Sequence, residues 1–372
     1  MERKDLVLTA AVLLLAGLFC LNTQCGRHKT KIPTEKDMGA YLFVYHKEHT
    51  HSLYFALSDD GYTFTDVNGD RPIVGGDTIA LQKGIRDPQI TRGKDGAFYI
   101  AMTDCHVDGK AAGYRTTRWE RDEKIYGWGN NRGFVLMKSF DLIHWTHSNV
   151  TVQDLFPDLE VSCAWAPQTV YDPGEDKMML YFTLRLGIMG KSNLRLYYAY
   201  TDDGFTTLLT RPQLLFDYPD SSVNILDGDI TPLPDGRFCL MYVAGKKIPG
   251  GIEMAFSNKI NGDYVYQPGR VDFEPLGCEA PNVWKRIGED RWVLMYDVYG
   301  VKPHNFGFAE TTDFKTFTNI GHFDAGVMRR TNFSTPREGP AGVYSAQKHG
   351  AVIQVTKEEA GRLAEYYKRN NN

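Results

Sequence analysis

One β-pattern recurs five times along this chain of 372 residues, and any fold must accommodate it. Each copy has an aromatic or apolar strand running into a turn anchored by Ser or Thr. The copies are 54–64 around Ser58, 135–145 around Ser139, 196–205 around Thr201, 252–259 around Ser257 and 307–317 around Thr311. A second strand of the same character precedes each, at 41–45, 97–101, 178–182, 237–242 and 291–296. Aromatic and β-branched residues suit a pleated surface. A strand unit that cannot bury both its faces alone must stack against copies of itself. Five such units predict an all-β, five-bladed β-propeller in a single domain. Helical periodicity is confined to 357–368, an amphipathic helix expected on the outside. The first copy has no inner strand ahead of it, whereas 344–355 supplies a late one. One blade is therefore expected to be completed by both chain ends, which closes the ring and hides its sheet edges.

Residues 1–30 fall outside this pattern and 31–372 form the propeller. A charged start (Glu2, Arg3, Lys4, Asp5) leads into an apolar run at 6–21. That is the pattern of an export signal. Cys20 and Cys25 follow closely, so the leader reads as a cleaved signal peptide or a lipoprotein signal, with Cys25 the better acceptor. The expected location is periplasmic or tethered at the outer membrane or cell surface, with a lipid anchor as the one membrane contact. A net charge of −4 without a basic stripe excludes nucleic acid as a partner. Cys105, Cys163, Cys239 and Cys278 have no metal-knuckle spacing and are expected as small buried thiols.

Three acids stand near the starts of inner strands in different copies: Asp87 in Arg86-Asp87-Pro88-Gln89, Asp227 in Leu226-Asp227-Gly228-Asp229, and Glu279 in Cys278-Glu279-Ala280-Pro281. At equivalent points of a radial repeat they would converge at one mouth of the channel. Convergent carboxylates are what glycosidic bond hydrolysis requires, one to protonate the leaving oxygen and one to activate water or attack. A third nearby acid raises the donor's pKa by like-charge repulsion. On a regular strand Asp229 would share a face with Asp227, so either could fill that third place. The longest gap between copies holds an insertion at 115–132 with Trp119, Trp128, Arg115, Arg118, Arg121 and Arg132, a natural wall for a binding site.

These motifs, taken in order, resemble glycoside hydrolase family 43, whose members are five-bladed propellers acting mostly as exo-arabinofuranosidases and xylosidases. Arg86-Asp87-Pro88-Gln89-Ile90 with Asp95-Gly96 is similar to the family's general-base segment. Trp165-Ala166-Pro167-Gln168 is similar to its second-blade signature, although an acid usually stands where this chain has Gln168. Leu226-Asp227-Gly228-Asp229 resembles the segment that modulates the donor's pKa, and Glu279-Ala280-Pro281 the general-acid segment. Lys348-His349-Gly350 resembles the closing segment, whose histidine faces the channel near a calcium ion or water.

The resemblance implies inverting hydrolysis with Asp87 as base, Glu279 as acid and Asp227 as modulator. It implies substrate contacts from Arg86, Trp165, Gln168 and Trp128, no required cofactor, and His349 as a ligand if one structural Ca²⁺ occupies the channel. The implied substrate is a terminal α-L-arabinofuranose or β-xylose on a plant polysaccharide or glycan side chain. An exo-β-1,3-galactosidase of the same fold and a non-catalytic carbohydrate-binding propeller are the alternatives. The signature of the retaining fructosidases is absent.

Overall fold

The computed structural model describes residues 32–370 apart from 115–120, 127–130, 248–249, 300, 302–304, 334–336, 340–341 and 345–346. The leader with Cys20 and Cys25 lies outside the described residues, as do Trp119, Trp128, Arg115 and Arg118 of the insertion.

Five sheets form five blades, the arrangement that the repeat predicts. From the axis outward, blade II is Ile85–Arg92, Phe98–Asp104, Gly133–Ser139 and Thr146–Thr151. Blade III is Val161–Asp172, Lys177–Leu186, Arg195–Tyr200 and Gln213–Leu214. Blade IV is Asn224–Pro232, Phe238–Gly245, Gly251–Ser257 and Val265–Gln267. Blade V is Cys278–Lys285, Trp292–Val298, Asn305–Thr311 and Thr318–His322. Blade I joins both ends of the chain. Its innermost strand is Lys348–Val355, antiparallel to Ala40–His46, followed by Leu53–Ser58, Thr63–Asp66 and a parallel outer strand Arg329–Thr331. Each innermost strand abuts those of its two neighbours, so the ring is closed.

The second strand of each blade is buried on both faces, and alternation sends successive side chains to opposite neighbours. Leu42 and Val44 join Ile90, Ile100 and Met137 of blade II. Tyr41, Phe43 and Tyr45 join Val293, Met295, Phe306 and Phe308 of blade V. Similar clusters fill the other three blade junctions. Most of the aromatic residues are therefore core. The Ser/Thr anchors are turn caps. Ser58, Ser139 and Thr311 accept from the backbone N–H of Gly61, Leu142 and Phe314 at 2.8, 3.0 and 3.0 Å. Each of those three residues is in the left-handed region, with φ of 68°, 68° and 52°.

The C-terminal helix Lys357–Asn370 packs Ala360, Leu363 and Tyr367 on the blade I–II junction. Glu359 receives both arms of Arg92 at 2.8 and 2.7 Å. All four cysteines of the ring are buried. Among the described residues no helix is long and apolar enough to cross a membrane.

Candidate active site

Every innermost strand carries a β-bulge at the same height. It falls between Arg86 and Gln89, Trp165 and Gln168, Leu226 and Asp229, Glu279 and Asn282, and at His349. At its centre one residue takes a positive φ: Asp87 53°, Ala166 44°, Asp227 51°, Ala280 58° and His349 30°. The bulge twists the strand and re-aims its side chains, and it releases one N–H from the ladder. A buried N–H must find another partner. Each finds a side chain of the preceding blade. Asp87 N donates to His46 Nδ1 at 3.2 Å, and Ala166 N to Thr103 Oγ1 at 2.8 Å. Asp227 N donates to Thr183 Oγ1 at 2.9 Å, and Ala280 N to Asp227 Oδ2 at 3.3 Å. His349 N reaches Asp297 Oδ2 at 3.2 Å.

This register refines the expectation of equivalent acids. Asp87 and Asp227 do occupy equivalent bulge centres, but Glu279 stands one residue earlier, where the other blades have Arg86, Trp165, Leu226 and Lys348. The three acids nevertheless line one cavity of about 460 Å³. Among the described residues it is also lined by Glu48, Arg86, Thr103, Cys105, Trp165, Arg185, Met189, Leu194, Leu226, Tyr299, Lys348 and His349.

The bulge also separates Asp227 from Asp229. Asp229 lies outside the cavity in a buried belt with the equivalent residues Gln89, Gln168 and Asn282. It accepts from Asn282 Nδ2 at 3.2 Å and from Val283 N at 3.0 Å, and burial pushes its pKa up to about 7. Gln168 belongs to this belt too, 2% exposed and bonded by Tyr181 Oη at 3.4 Å, and does not line the cavity. Arg86 and Trp165 do line it. Trp128 lies outside the described residues.

Electrostatics give the acids different states. Burial alone would raise Asp87. The facing His349, whose Nδ1 is 3.2 Å from Oδ1, and the nearby Arg86 outweigh it and hold Asp87 well below the usual carboxylate range. Thr103 adds a 2.7 Å hydrogen bond to Oδ2. Asp227 is raised to about 7, first by burial and further by the charges of Glu279 and Asp87, with His349 opposing. Glu279 Oε1 accepts from the Tyr299 phenol and lies 3.4 Å from Lys348 Nζ, which is 3.2 Å from Tyr299 Oη. Arg86 Nη1 donates to Glu48 Oε1 at 3.0 Å.

Glu48, Thr103, Arg185 and Tyr299 escaped the sequence reading. They lie on second strands or the loops after them, and the repeat gave no sign that those ends reach the channel mouth. Lys348 could have been found, because it stands beside His349 in the Lys348-His349-Gly350 segment already singled out.

The implied calcium is a poor fit. His349 is buried against Asp87, and although burial disfavours its charge, Asp87, Asp227 and Asp297 raise its pKa to about 9. To ligate an ion His349 would have to give up the proton that its contact with Asp87 favours. Among the described residues no group of three ligating side chains is arranged to hold an ion.

Fold and site together define a five-bladed propeller with a carboxylate-lined cavity at one mouth of its channel. Residues 36–361 match the domain family described as a probable glycosyl hydrolase domain, related to glycoside hydrolase family 43, and the chain belongs to that family. No curated protein matches the chain in sequence. Solved structures similar to it include a thermostable family-43 glycoside hydrolase, 17% identical, covering 73% of this chain and 89% of the other with a TM-score of 0.46. A family-43 enzyme from Xanthomonas citri in complex with xylotriose is 16% identical over 64% of this chain and 73% of its own, with a TM-score of 0.46. A family-43 β-1,3-galactosidase bound to galactodeoxynojirimycin is 12% identical over 65% and 78%, with a TM-score of 0.47.

Proposed function

We propose that this protein is an exported, exo-acting glycoside hydrolase that removes a terminal sugar, α-L-arabinofuranose or β-xylose, by inverting single displacement. The observation that carries the reading is the convergence of Asp87, Asp227 and Glu279 on one cavity in unlike electrostatic settings. Asp87, held ionised by His349 and Thr103, is suited to take a proton from the attacking water. Glu279 is the donor to the glycosidic oxygen, oriented by Tyr299. Asp227 acts on Glu279 in two ways. Its charge is felt by the donor, and its Oδ2 accepts the N–H of Ala280, which fixes the backbone beside Glu279.

The test is hydrolysis of p-nitrophenyl α-L-arabinofuranoside, β-D-xyloside and β-D-galactoside, and of the matching oligosaccharides, by the wild type, Asp87→Asn and Glu279→Gln. Loss of the base should lower kcat by about 10²–10⁴-fold on every substrate. Loss of the acid should cost that much on the oligosaccharide and far less on the aryl glycoside, whose leaving group needs little protonation. Proton NMR of the first product formed reads the anomer. Equal, small losses in both variants on both substrates, or no glycoside cleaved by the wild type, would overturn the assignment.

A further inference from the structure

Arg185 lies in the wall of the cavity, 8% exposed, near the end of the second strand of blade III. The other long cations of the cavity each have a carboxylate: Arg86 pairs with Glu48 at 3.0 Å and Lys348 lies 3.4 Å from Glu279. Arg185 does not. Among the described residues no carboxylate lies within ion-pairing distance of its guanidinium, and its buried Nε has no hydrogen-bond partner. A buried guanidinium left without an anion is costly, and in a ligand cavity the missing anion is one the ligand can bring.

The surroundings point the same way. Arg185 pairs across the ladder with Cys163. Arg121 crosses the same strand end, donating to Val161 O at 2.8 Å and to Ser162 O. Positive charge is thus gathered on the blade III side, away from the Lys348–Glu279 pair. Across the cavity as a whole, Arg86, Arg185, Lys348 and His349 face Glu48, Asp87, Asp227 and Glu279. Asp227, raised to about 7 chiefly by burial, carries only part of its charge at neutral pH. The balance therefore leans positive, and the surplus sits at Arg185. Strand alternation places Arg185 on the face of Thr183, the residue that anchors Asp227, and one step nearer the mouth. The anion it awaits is therefore beside the reacting sugar.

We infer that Arg185 is a specificity residue that reads an anionic substituent, a uronic-acid carboxylate or a sulfate ester, on the sugar bound in the cavity. This rests on the glycosidase reading for its cavity as the sugar site but puts an acidic sugar there in place of the neutral pentose, and binding can be tested without hydrolysis. Free monosaccharides have no glycosidic bond, so their affinity is independent of the reaction.

The experiment is NMR titration of wild type, Arg185→Gln and Arg185→Lys with D-glucuronate, D-galacturonate and galactose 6-sulfate, against D-glucose and D-galactose. Thermal melts confirm that the variants fold. The wild type should bind an anionic sugar at least about 10-fold more tightly than its neutral counterpart. Arg185→Gln should lose that preference and Arg185→Lys should keep part of it. Preference for the uronates assigns a carboxylate, and preference confined to the 6-sulfate assigns a sulfate ester. Equal affinity for anionic and neutral sugars, or a preference that survives in Arg185→Gln, overturns the inference. Absence of glycosidase activity alongside a preference that depends on Arg185 would sink the catalytic reading and leave the anion site standing.

Discussion

His349 is buried, and burial alone would strip its proton; Asp87, 3.2 Å from its Nδ1, with Asp227 and Asp297, reverses that and lifts its pKa to about 9. An unfolded histidine titrates near about 6.5. The folded value is raised, so the stabilisation is fully present below about pH 6.5 and is lost as pH rises through about 9. His349→Gln should therefore be destabilised relative to wild type by up to about 3 kcal/mol at pH 6, and the gap should close by pH 9.5. Urea unfolding of both proteins at the two pH values measures it. A gap that is the same at both would mean that the imidazole is held for its shape and not its charge. The same variant should lose activity at pH 6, because Asp87 would be left buried without its main counter-charge.

Blades and bulges show how much of this molecule could be read in advance. The five-fold repeat was legible because each copy writes its turn chemistry locally, as at Ser139 and Asp141, whose oxygens bind the next backbone amides. The acids were legible for the same reason. Their exact register was not, because a bulge has no signature of its own: Asp87-Pro88, Ala166-Pro167 and Asp227-Gly228 make the same irregularity with different residues. Glu279 consequently looked equivalent to Asp87 while standing one residue off, and Asp229 looked equivalent to Asp227 while pointing into the belt. Arg185 and Tyr299 were invisible because their importance comes from three-dimensional closure alone. The bulge at His349 also has a testable neighbour. A Cβ on Gly350 would lie 2.1 Å from the Val44 carbonyl oxygen and 2.8 Å from the Phe43 ring. Gly350→Ala must push the closing strand off its partner, costing roughly 3 kcal/mol and displacing His349. Gly361, on the helix, has nothing within 4 Å of such a Cβ, and Gly361→Ala should stabilise by about 0.5–1 kcal/mol. Thermal melts with activity assays would separate the two. A Gly350→Ala protein as stable and active as wild type would show that the closing strand tolerates a shift.

On the scale of the whole molecule, closure and catalysis depend on the same segment. Lys348–Val355 pairs with Ala40–His46 to complete blade I, and it delivers Lys348 and His349 to the cavity. The helix that follows contributes stability without touching the site. It buries Leu363 completely and receives the two-armed ion pair from Arg92. Two truncations should therefore behave differently. A chain ending at Thr356 keeps the closing strand, including the hydrogen bond from Gly39 N to Val355 O at 3.0 Å. It should lose roughly 3–5 kcal/mol through lost burial and the lost charge-assisted pair, with kcat and KM unchanged below its lowered melting temperature. A chain ending at Gln347 exposes the edge of Ala40–His46 and leaves the inner faces of blades II and V uncovered. An open apolar edge of that kind pairs with other chains, so this protein should aggregate. Size-exclusion chromatography and calorimetry of the two proteins decide the matter. A soluble, cooperatively folded chain ending at Gln347 would mean that four inner strands suffice to hold the ring, and that the fifth is kept for its lysine and histidine alone.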